Sequence, residues 1–397
     1  MTCRIPFGNL KIGDTAREYI DAALAKNWIS EGDNVRLFEE QFSKKFGWKH
    51  AIATSSGTDA GIVVWSAARE LSGKSWGNGI VLTPACAFVA TANCLLASGC
   101  HPRFIDIETN TLNMNPSALI RDMVRIPSGG VPTVIPTIRD KRTIGIQFVA
   151  TMGKPTPIGQ IAAIADEHDL WLIYDGCEAH GATVLGGRQY ADKYADAAIY
   201  SFYAAHMIVG GEGGIICTDD DELAELCRSI KSHGRPVGSN YFDFQRIGTN
   251  SKWTELNAAI ALEGLEKFDE NFAKRREVRR KLIKALSPME DNLILYRDAQ
   301  WEVIAPHAFC IMLRDENDDI MPLYHYMESR GIEVKKTFGS LPTQHECFAY
   351  IGHKLGDFPI AERIGHTSLH FSCSQFIIDE DVEYITKTIG KFFVDNA

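Results

Sequence analysis

Four short segments hold residues whose types and spacing fit chemistry. SSGTDAG, Ser55 to Gly61, follows the apolar run AIAT and opens an apolar helix predicted over Thr58 to Leu71. Gly57 lets backbone come close to a ligand, and first-turn amides with the helix dipole suit a phosphate; a plain turn and cap uses the same residues. Asp175, in YDGCEAHGA, ends another apolar run. A carboxylate there holds a protonated heteroaromatic nitrogen by a charge-assisted hydrogen bond, or caps the segment that follows. Cys177 and His180 stand nearby, but Asp, Cys and His at these offsets match no common zinc spacing, and no metal is expected. The third segment, SFYAAHMIVGGEGG over Ser201 to Gly214, contains neither GxxxxGK nor a strand-linked GxGxxG, so its glycines are not read as a nucleotide loop. Its His206 is a satisfied structural histidine or a base working near neutral pH. Phe88, in PACAFVATAN, belongs to the core or covers a planar ring.

Such residues need a scaffold, and the chain is long enough to supply one. Its 397 residues, 45% hydrophobic and 23% charged, suit two or three domains and exclude disorder or collagen-like repetition. Seven β-rich runs alternate with helical patterns between about residues 50 and 220: His50 to Thr54, Gly79 to Thr83, Pro102 to Ile107, Thr143 to Phe148, Leu170 to Tyr174, Ala197 to Phe202 and Gly214 to Thr218. That alternation predicts an α/β domain with a mostly parallel sheet, and the four segments fall at strand ends, where open α/β sheets place ligands. Thr156 to His168 predicts a helix, with Thr156 as N-cap and Pro157 at its first position. PSGGVP at 127 to 132 reads as a surface turn.

Beyond residue 250 the pattern becomes a long helix, with Leu262, Leu265 and Phe268 or Phe272 on one side and the run KRREVRRK, 274 to 281, as a solvated face. A strand over Val303 to Leu313 and helices over Pro322 to Arg330 and Asp379 to Phe393 predict a smaller α+β domain. The expected division is a large domain over 1–262 and a small C-terminal domain over 263–397.

The net charge of −10 opposes binding to nucleic acid. The ten cysteines include no CxxC or CxC pair, so neither a disulfide framework nor a zinc cluster is expected. The start, MTCRIPFGNLKIGD, lacks a signal-peptide core, which points to a cytoplasmic protein. The apolar stretch Ile80 to Cys100 contains Thr83, Pro84, Thr91 and Asn93, and is read as a strand plus a buried helix rather than a membrane span.

Taken in order, SSGT, PxxxFVATAN, DxxEAHGA, SFYxxH with GEGG, and GxN before a helix resemble the DegT/DnrJ/StrS family of sugar aminotransferases and dehydratases. The similarity runs from NWISEGDNVRLFEEQF at 27 to 42 through FGSLPTQ at 338 to 344. It implies fold type I of pyridoxal 5′-phosphate (PLP) enzymes, with a mixed, mostly parallel seven-stranded sheet in the large domain, and a homodimer with shared active sites. By the same resemblance Gly57, Thr58 and Asp59 lie at the cofactor phosphate, and Ser201 adds a hydroxyl. Asn250 reaches the phosphate from the neighbouring subunit, Phe88 stacks on the pyridine ring and Asp175 pairs with its nitrogen. Glu178 stands where the aminotransferases usually have glutamine near the ring hydroxyl.

The aminotransferase pattern reads SFYxxK, whereas this chain has His206 and no lysine between Lys193 and Lys231. Histidine cannot bind the cofactor aldehyde stably, so the cofactor is expected to be held noncovalently. The same change marks the family's 3-dehydratases of nucleotide-linked 4-keto-6-deoxyhexoses, such as the GDP-4-keto-6-deoxymannose enzyme. In these the pyridoxamine form (PMP) takes its amino group from glutamate, and the histidine is the base for loss of the C3 hydroxyl. The cysteine-poor stretch 218 to 250 argues against the iron–sulfur branch and its reductase partner. The function expected is thus a PLP/PMP-dependent dehydratase in deoxysugar or polysaccharide biosynthesis. An aminotransferase and a noncatalytic sugar-nucleotide-binding homologue are the alternatives, and His180 and the short loop Gly234 to Gly248 look more like the aminotransferases.

Overall fold

Nearly continuous apolar runs make strands that are buried on both faces, and seven of them form one sheet. They are β1 (His50–Thr54), β2 (Gly79–Pro84), β3 (Cys100–Ile105), β4 (Thr143–Val149), β5 (Trp171–Asp175), β6 (Ala197–Ser201) and β7 (Gly214–Thr218). Their order is β1-β7-β6-β5-β4-β2-β3, with β7 antiparallel to both neighbours and the remaining pairs parallel. The computed structural model describes residues 3–124, 140–155, 158–238 and 241–395. The turn expected at 127 to 132, and the N-cap and first position expected at Thr156 and Pro157, lie outside them.

Alternate residues of each strand feed two cores. Ala51, Leu172, Tyr174, Ala198, Tyr200 and Ile215 face one side, where Phe38, Phe42 and Phe46 of the helix Asp33–Phe46 pack. Ile52, Ile173, Ala197, Ile199 and Ile216 face the other, against Val63, Val64 and Trp65 of the helix Gly57–Leu71. This is the expected α/β layering. β3 begins two residues before the expected run, so Pro102 lies inside it; the strand is at the sheet edge and pairs only with β2, which leaves room for a residue without an amide hydrogen. Ile80 to Cys100 divides into β2 and the helix Ala90–Ala97, and among the described residues no helix is long and apolar enough to cross a membrane.

A second sheet follows, from β8 (Leu293–Leu295), β9 (Ala308–Leu313), β10 (Val334–Lys336) and β11 (Ser368–Ser372), in the order β8-β9-β11-β10 with all pairs antiparallel. Its core combines Ile311, Leu323, Val334, Phe371 and Ile385 with Ile5, which bridges to Ile332. The strand expected over Val303 to Leu313 is two strands. Glu302–Val303 pairs with Thr183–Val184 in a small ribbon, and Pro306, which has no amide hydrogen, precedes β9.

The long helical pattern is also two helices, Glu255–Glu266 and Phe268–Leu286, and the division expected at 262/263 falls inside the first. The basic run corrects the expectation of a solvated face. Arg275 and Arg279 are only 2% and 6% exposed, because their i,i+4 spacing puts both on the buried side with Val278 and Leu282. Lys274, Arg276, Arg280 and Lys281 make the exposed side and pair with nearby acids.

The carboxyl ends of β1 and β6 meet at Gly214, which pairs with both Thr54 and Ser201. A Cβ on Gly214 would lie 2.3 Å from the Ser56 carbonyl oxygen, a backbone atom that cannot step aside. Gly214→Ala should therefore destabilise the protein by about 1–3 kcal/mol. Urea denaturation checks this, and an unchanged midpoint would show that the backbone approach is not tight.

Candidate active site

Ser56 ends the stretch after β1 as the N-cap of the helix Gly57–Leu71, its Oγ accepting from the Asp59 amide at 3.0 Å. The Asp59 carboxylate reaches back to the Ser55 and Ser56 hydroxyls, at 2.5 and 2.9 Å. That reciprocal cap uses the third amide of the helix, and among the described residues none accepts from the Gly57 or Thr58 amide. Gly57 is packed so closely on β6 that a Cβ would lie 2.7 Å from that of Ser201. The two free amides and the Ser201 hydroxyl therefore share one corner of the sheet edge, while Asp59 is occupied in the cap. The glycines of GGEGG serve the scaffold. A Cβ on Gly210 or Gly213 would lie 2.8 or 2.5 Å from the Trp253 ring.

Asp175 closes β5 and is buried, which raises its carboxyl above the usual range. Thr91 Oγ1 donates to one carboxylate oxygen at 3.0 Å and the Cys177 amide to the other at 3.3 Å, both opposing that shift. Phe88 is 57% exposed, with its ring edge against Phe338 at 5.8 Å between centroids; it is not a core residue. Asn250 is exposed, and its side-chain carbonyl accepts from Lys252 Nζ at 2.6 Å. Within one chain no hydrogen bond joins it to Gly57, Thr58 or Ser201 among the described residues.

His206 follows the turn after β6 and meets a group the sequence does not reveal. Its Nδ1 lies 3.3 Å from Nδ1 of His307, and the two rings are 4.9 Å apart with a 35° tilt. Nε2 of His307 is in turn 3.5 Å from Oε1 of Glu178, whose Oε2 accepts from the Met152 amide at 2.6 Å. The buried guanidinium of Arg275 donates to the His206 carbonyl oxygen at 3.2 Å and, through Nε, to Gln375 at 2.7 Å. His180 is buried 6.1 Å from His206, and neither of its ring nitrogens finds a partner among the described residues.

Burial, with Arg275 adding positive charge, lowers the pKa of His206 to about 3. Burial and the neighbouring histidines and Arg275 also take His307 well below the ordinary range. Burial raises Glu178 to about 8, opposed by the Met152 amide. Below about pH 8 the Glu178–His307 contact is thus a neutral carboxyl beside a neutral imidazole rather than an ion pair, since both groups shift toward their uncharged forms.

Of the residues expected at the site, Gly57, Thr58, Asp59 and Ser201 come together at one corner, and Glu178 joins His206 through His307. His307, Arg275, Thr91 and Met152 also line this cluster and are not singled out by the sequence. Thr91 lies in the FVATAN segment already singled out and Arg275 in the basic run, but nothing around Pro306–His307 marks it as part of a site.

Residues 10–390 match the model of the DegT/DnrJ/EryC1/StrS aminotransferase family. The chain is 28% identical to a dTDP-4-dehydro-2,6-dideoxy-D-glucose 3-dehydratase of Saccharopolyspora spinosa, over 99% of this chain and 87% of that protein. Among solved structures it resembles the Helicobacter pylori aminotransferase PseC of pseudoaminic acid biosynthesis, with a TM-score of 0.86 and 22% identity over 98% of this chain and 99% of the other. It also resembles the Escherichia coli GDP-4-keto-6-deoxy-D-mannose-3-dehydratase with bound hydrated PLP, with a TM-score of 0.84 and 22% identity over 98% and 100%. These structures share the fold of PLP-dependent aminotransferases, as the sequence led one to expect.

The buried carboxyl makes a prediction about pH. Glu178 titrates near 8 when folded and near 4.5 when unfolded, so within that window the folded chain holds the extra proton and stability falls as pH rises. His206 and His307 have lowered folded values and act oppositely, but only below their ordinary value of 6.5. Between about pH 6.5 and 8 the Glu178 effect should cost about 2 kcal/mol, and Glu178→Gln should flatten it. Chemical denaturation at a series of pH values measures the slope; equal slopes in the two proteins would contradict the assignment.

Proposed function

The chain belongs to the DegT/DnrJ/EryC1/StrS aminotransferase family, and on that footing we propose that it is a 3-dehydratase of a nucleotide-linked 4-keto-6-deoxyhexose. The observation that carries this choice is His206, in the position where the family's aminotransferases have lysine, with no lysine between Lys193 and Lys231. Lys154, next to the Met152 turn, pairs with Glu302, and Lys231 pairs with Glu31 and the Ala53 carbonyl.

The residues present fit PLP or PMP held noncovalently. The free amides of Gly57 and Thr58 and the hydroxyl of Ser201 offer donors to a phosphate. Asp175, held by Thr91 and the Cys177 amide, suits a protonated ring nitrogen, and the exposed Phe88 ring suits a planar face. Asp59 acts through the cap that frees those amides. When bound, the pyridine ring draws electrons from the carbon next to the amino group, which makes a proton there easier to remove. His206 accepts that proton at Nε2, since its Nδ1 is engaged by His307, and it has no amine with which to anchor the cofactor. The hydroxyl at sugar C3 would leave with a proton as water, hydrolysis would return the C4 ketone and release the amino nitrogen as ammonia, and glutamate, oxidised to 2-oxoglutarate, would supply the replacement amino group and the two electrons.

The homodimer belongs to the same proposal. Tyr241, Phe242 and Ile247 are each about four-fifths exposed, an apolar surface suited to burial against a second copy, and Asn250 lies on the same segment. A sugar aminotransferase is the second reading, favoured by the resemblance of His180 and the loop Gly234 to Gly248 to that branch. It requires a product with an amine at C4.

The product tests the choice. Incubation with PLP, glutamate and a panel of nucleotide-linked 4-keto-6-deoxyhexoses should give a compound that has lost the C3 oxygen and kept its ketone, as read by mass spectrometry. His206→Asn should lower turnover at least about 100-fold while PLP absorbance still co-purifies with the protein. An amino-sugar product, or a fully active His206→Asn, would overturn the proposal.

A further inference from the structure

An imidazole that burial holds neutral is a poor place to put a proton, and yet the proposed reaction asks His206 to take one. Its surroundings offer a route that avoids the charge. Glu178, His307 and His206 lie in line, through Oε1 to Nε2 at 3.5 Å and Nδ1 to Nδ1 at 3.3 Å. One turn sets both ends of this line. The Met152 amide holds Glu178 at 2.6 Å, and the next carbonyl, of Gly153, accepts from the Ala305 amide at 2.9 Å, two residues before His307. Gly153 has φ of +72°, and a Cβ there would lie 2.1 Å from the Ala305 carbonyl oxygen, so this joint admits no larger side chain. Asn113 holds the turn from beneath, accepting from the Thr151 amide at 2.9 Å and donating to the Lys154 carbonyl at 2.7 Å.

We propose that Glu178, His307 and His206 form a proton relay, in which each proton taken up at His206 Nε2 is matched by transfers that end on the Glu178 carboxylate. This rests on His206 being the base of the proposed dehydratase.

In the form ready to accept, Glu178 is a carboxylate, His307 carries its proton on Nε2 and His206 on Nδ1. As His206 Nε2 takes the substrate proton, the Nδ1 proton of His206 passes to Nδ1 of His307, and the Nε2 proton of His307 passes to Glu178. One C–H and two N–H bonds break; two N–H bonds and one O–H bond form. The relay gains one proton, its charge changes from −1 to 0, and neither ring ends as an imidazolium. The reverse transfers deliver a proton from His206 Nε2, which suits a departing hydroxyl.

The groups around the line favour this over a charged ring. Arg275, from the helix Phe268–Leu286, brings positive charge against the His206 carbonyl. His180 stands beside His206, His370 of β11 acts on His307, and Asp175 of β5 acts on Glu178. Among the described residues, Glu178 is the carboxylate in contact with these histidines. Its raised value, about 8, together with lowered values at both rings, puts the proton on the carboxyl once it has entered. Catalytic hydrogen bonds are often this long without substrate and tighten in the complex.

The test uses the cofactor-free protein with nitrogen-15 labelled histidine, followed by NMR from about pH 6 to 9.5. His206 and His307 should exchange tautomers together with a midpoint near 8, and neither should show an imidazolium signature in that range. Glu178→Gln keeps an acceptor for the Met152 amide but cannot take the proton, and should abolish the exchange. His307→Asn should abolish it for His206. With substrate, both variants should lose the limb near pH 8 in kcat/KM and fall about 100-fold or more. Independent titration of either ring to imidazolium, or an exchange unaltered by Glu178→Gln, would overturn the relay while leaving dehydration by His206 intact. An intact exchange in a protein that yields only amino sugar would uphold the relay as a proton path and overturn the dehydratase.

Discussion

Desolvation at the carboxyl edge of the seven-stranded sheet governs the rest of this molecule. Asp175, Glu178, His180, His206 and His307 are brought together where water is largely excluded, and a charge there must be matched or given up. The groups divide accordingly. Asp175 has two donors to its carboxylate, from Thr91 and the Cys177 amide, which support its charged form. Glu178, with one amide donor and an imidazole neighbour, is pushed by burial toward its protonated form. Two carboxyls three residues apart thus have different chemistry because different elements surround them.

That edge is assembled from close backbone approaches rather than from long loops. Gly57 against Ser201, Gly214 against Ser56 and Gly153 against Ala305 each bring chain segments nearer than a Cβ would allow. The last of these ties the sheet edge to the segment leading into β9, and so delivers His307, more than a hundred residues from Glu178 in sequence. A second tie is the buried pair of Lys154 and Glu302, from the same turn to the ribbon strand beside it. The helix carrying the basic run supplies Arg275 from a third direction. A site built this way holds its side chains on rigid supports, which proton transfer over short distances requires.

Much of this was legible in the sequence. The seven strand runs are plain because strands buried on both faces are apolar throughout, and each lies within a residue or two of its place in the sheet. The capped helix start at Ser56 and Gly57 was legible because a serine cap, a glycine and a helix start are contiguous. His206 stood out through its place in a motif. His307 did not, because its role comes from tertiary packing: it is one histidine after a proline, and only the Gly153–Ala305 joint carries it to Glu178. Arg275 and Arg279 misled for a related reason. A run of six basic residues in eight, at 274 to 281, looks uniformly solvated, yet a helix turns two of them inward, where Gln375, Asp298 and backbone carbonyls satisfy them. Phe88 shows the opposite case, an aromatic in an apolar segment that the fold leaves exposed.

The central claim is that histidine in place of lysine directs the reaction to the C3 bond. The most direct measurement is a turnover in deuterium oxide, with the product analysed by NMR for deuterium at each sugar carbon. If the claim holds, solvent deuterium appears at C3, in a product with a ketone at C4 and no oxygen at C3. A product with its C3 hydroxyl intact, an amine at C4 and solvent deuterium on that carbon would mean that protonation occurs where a lysine would have directed it, and would contradict the account.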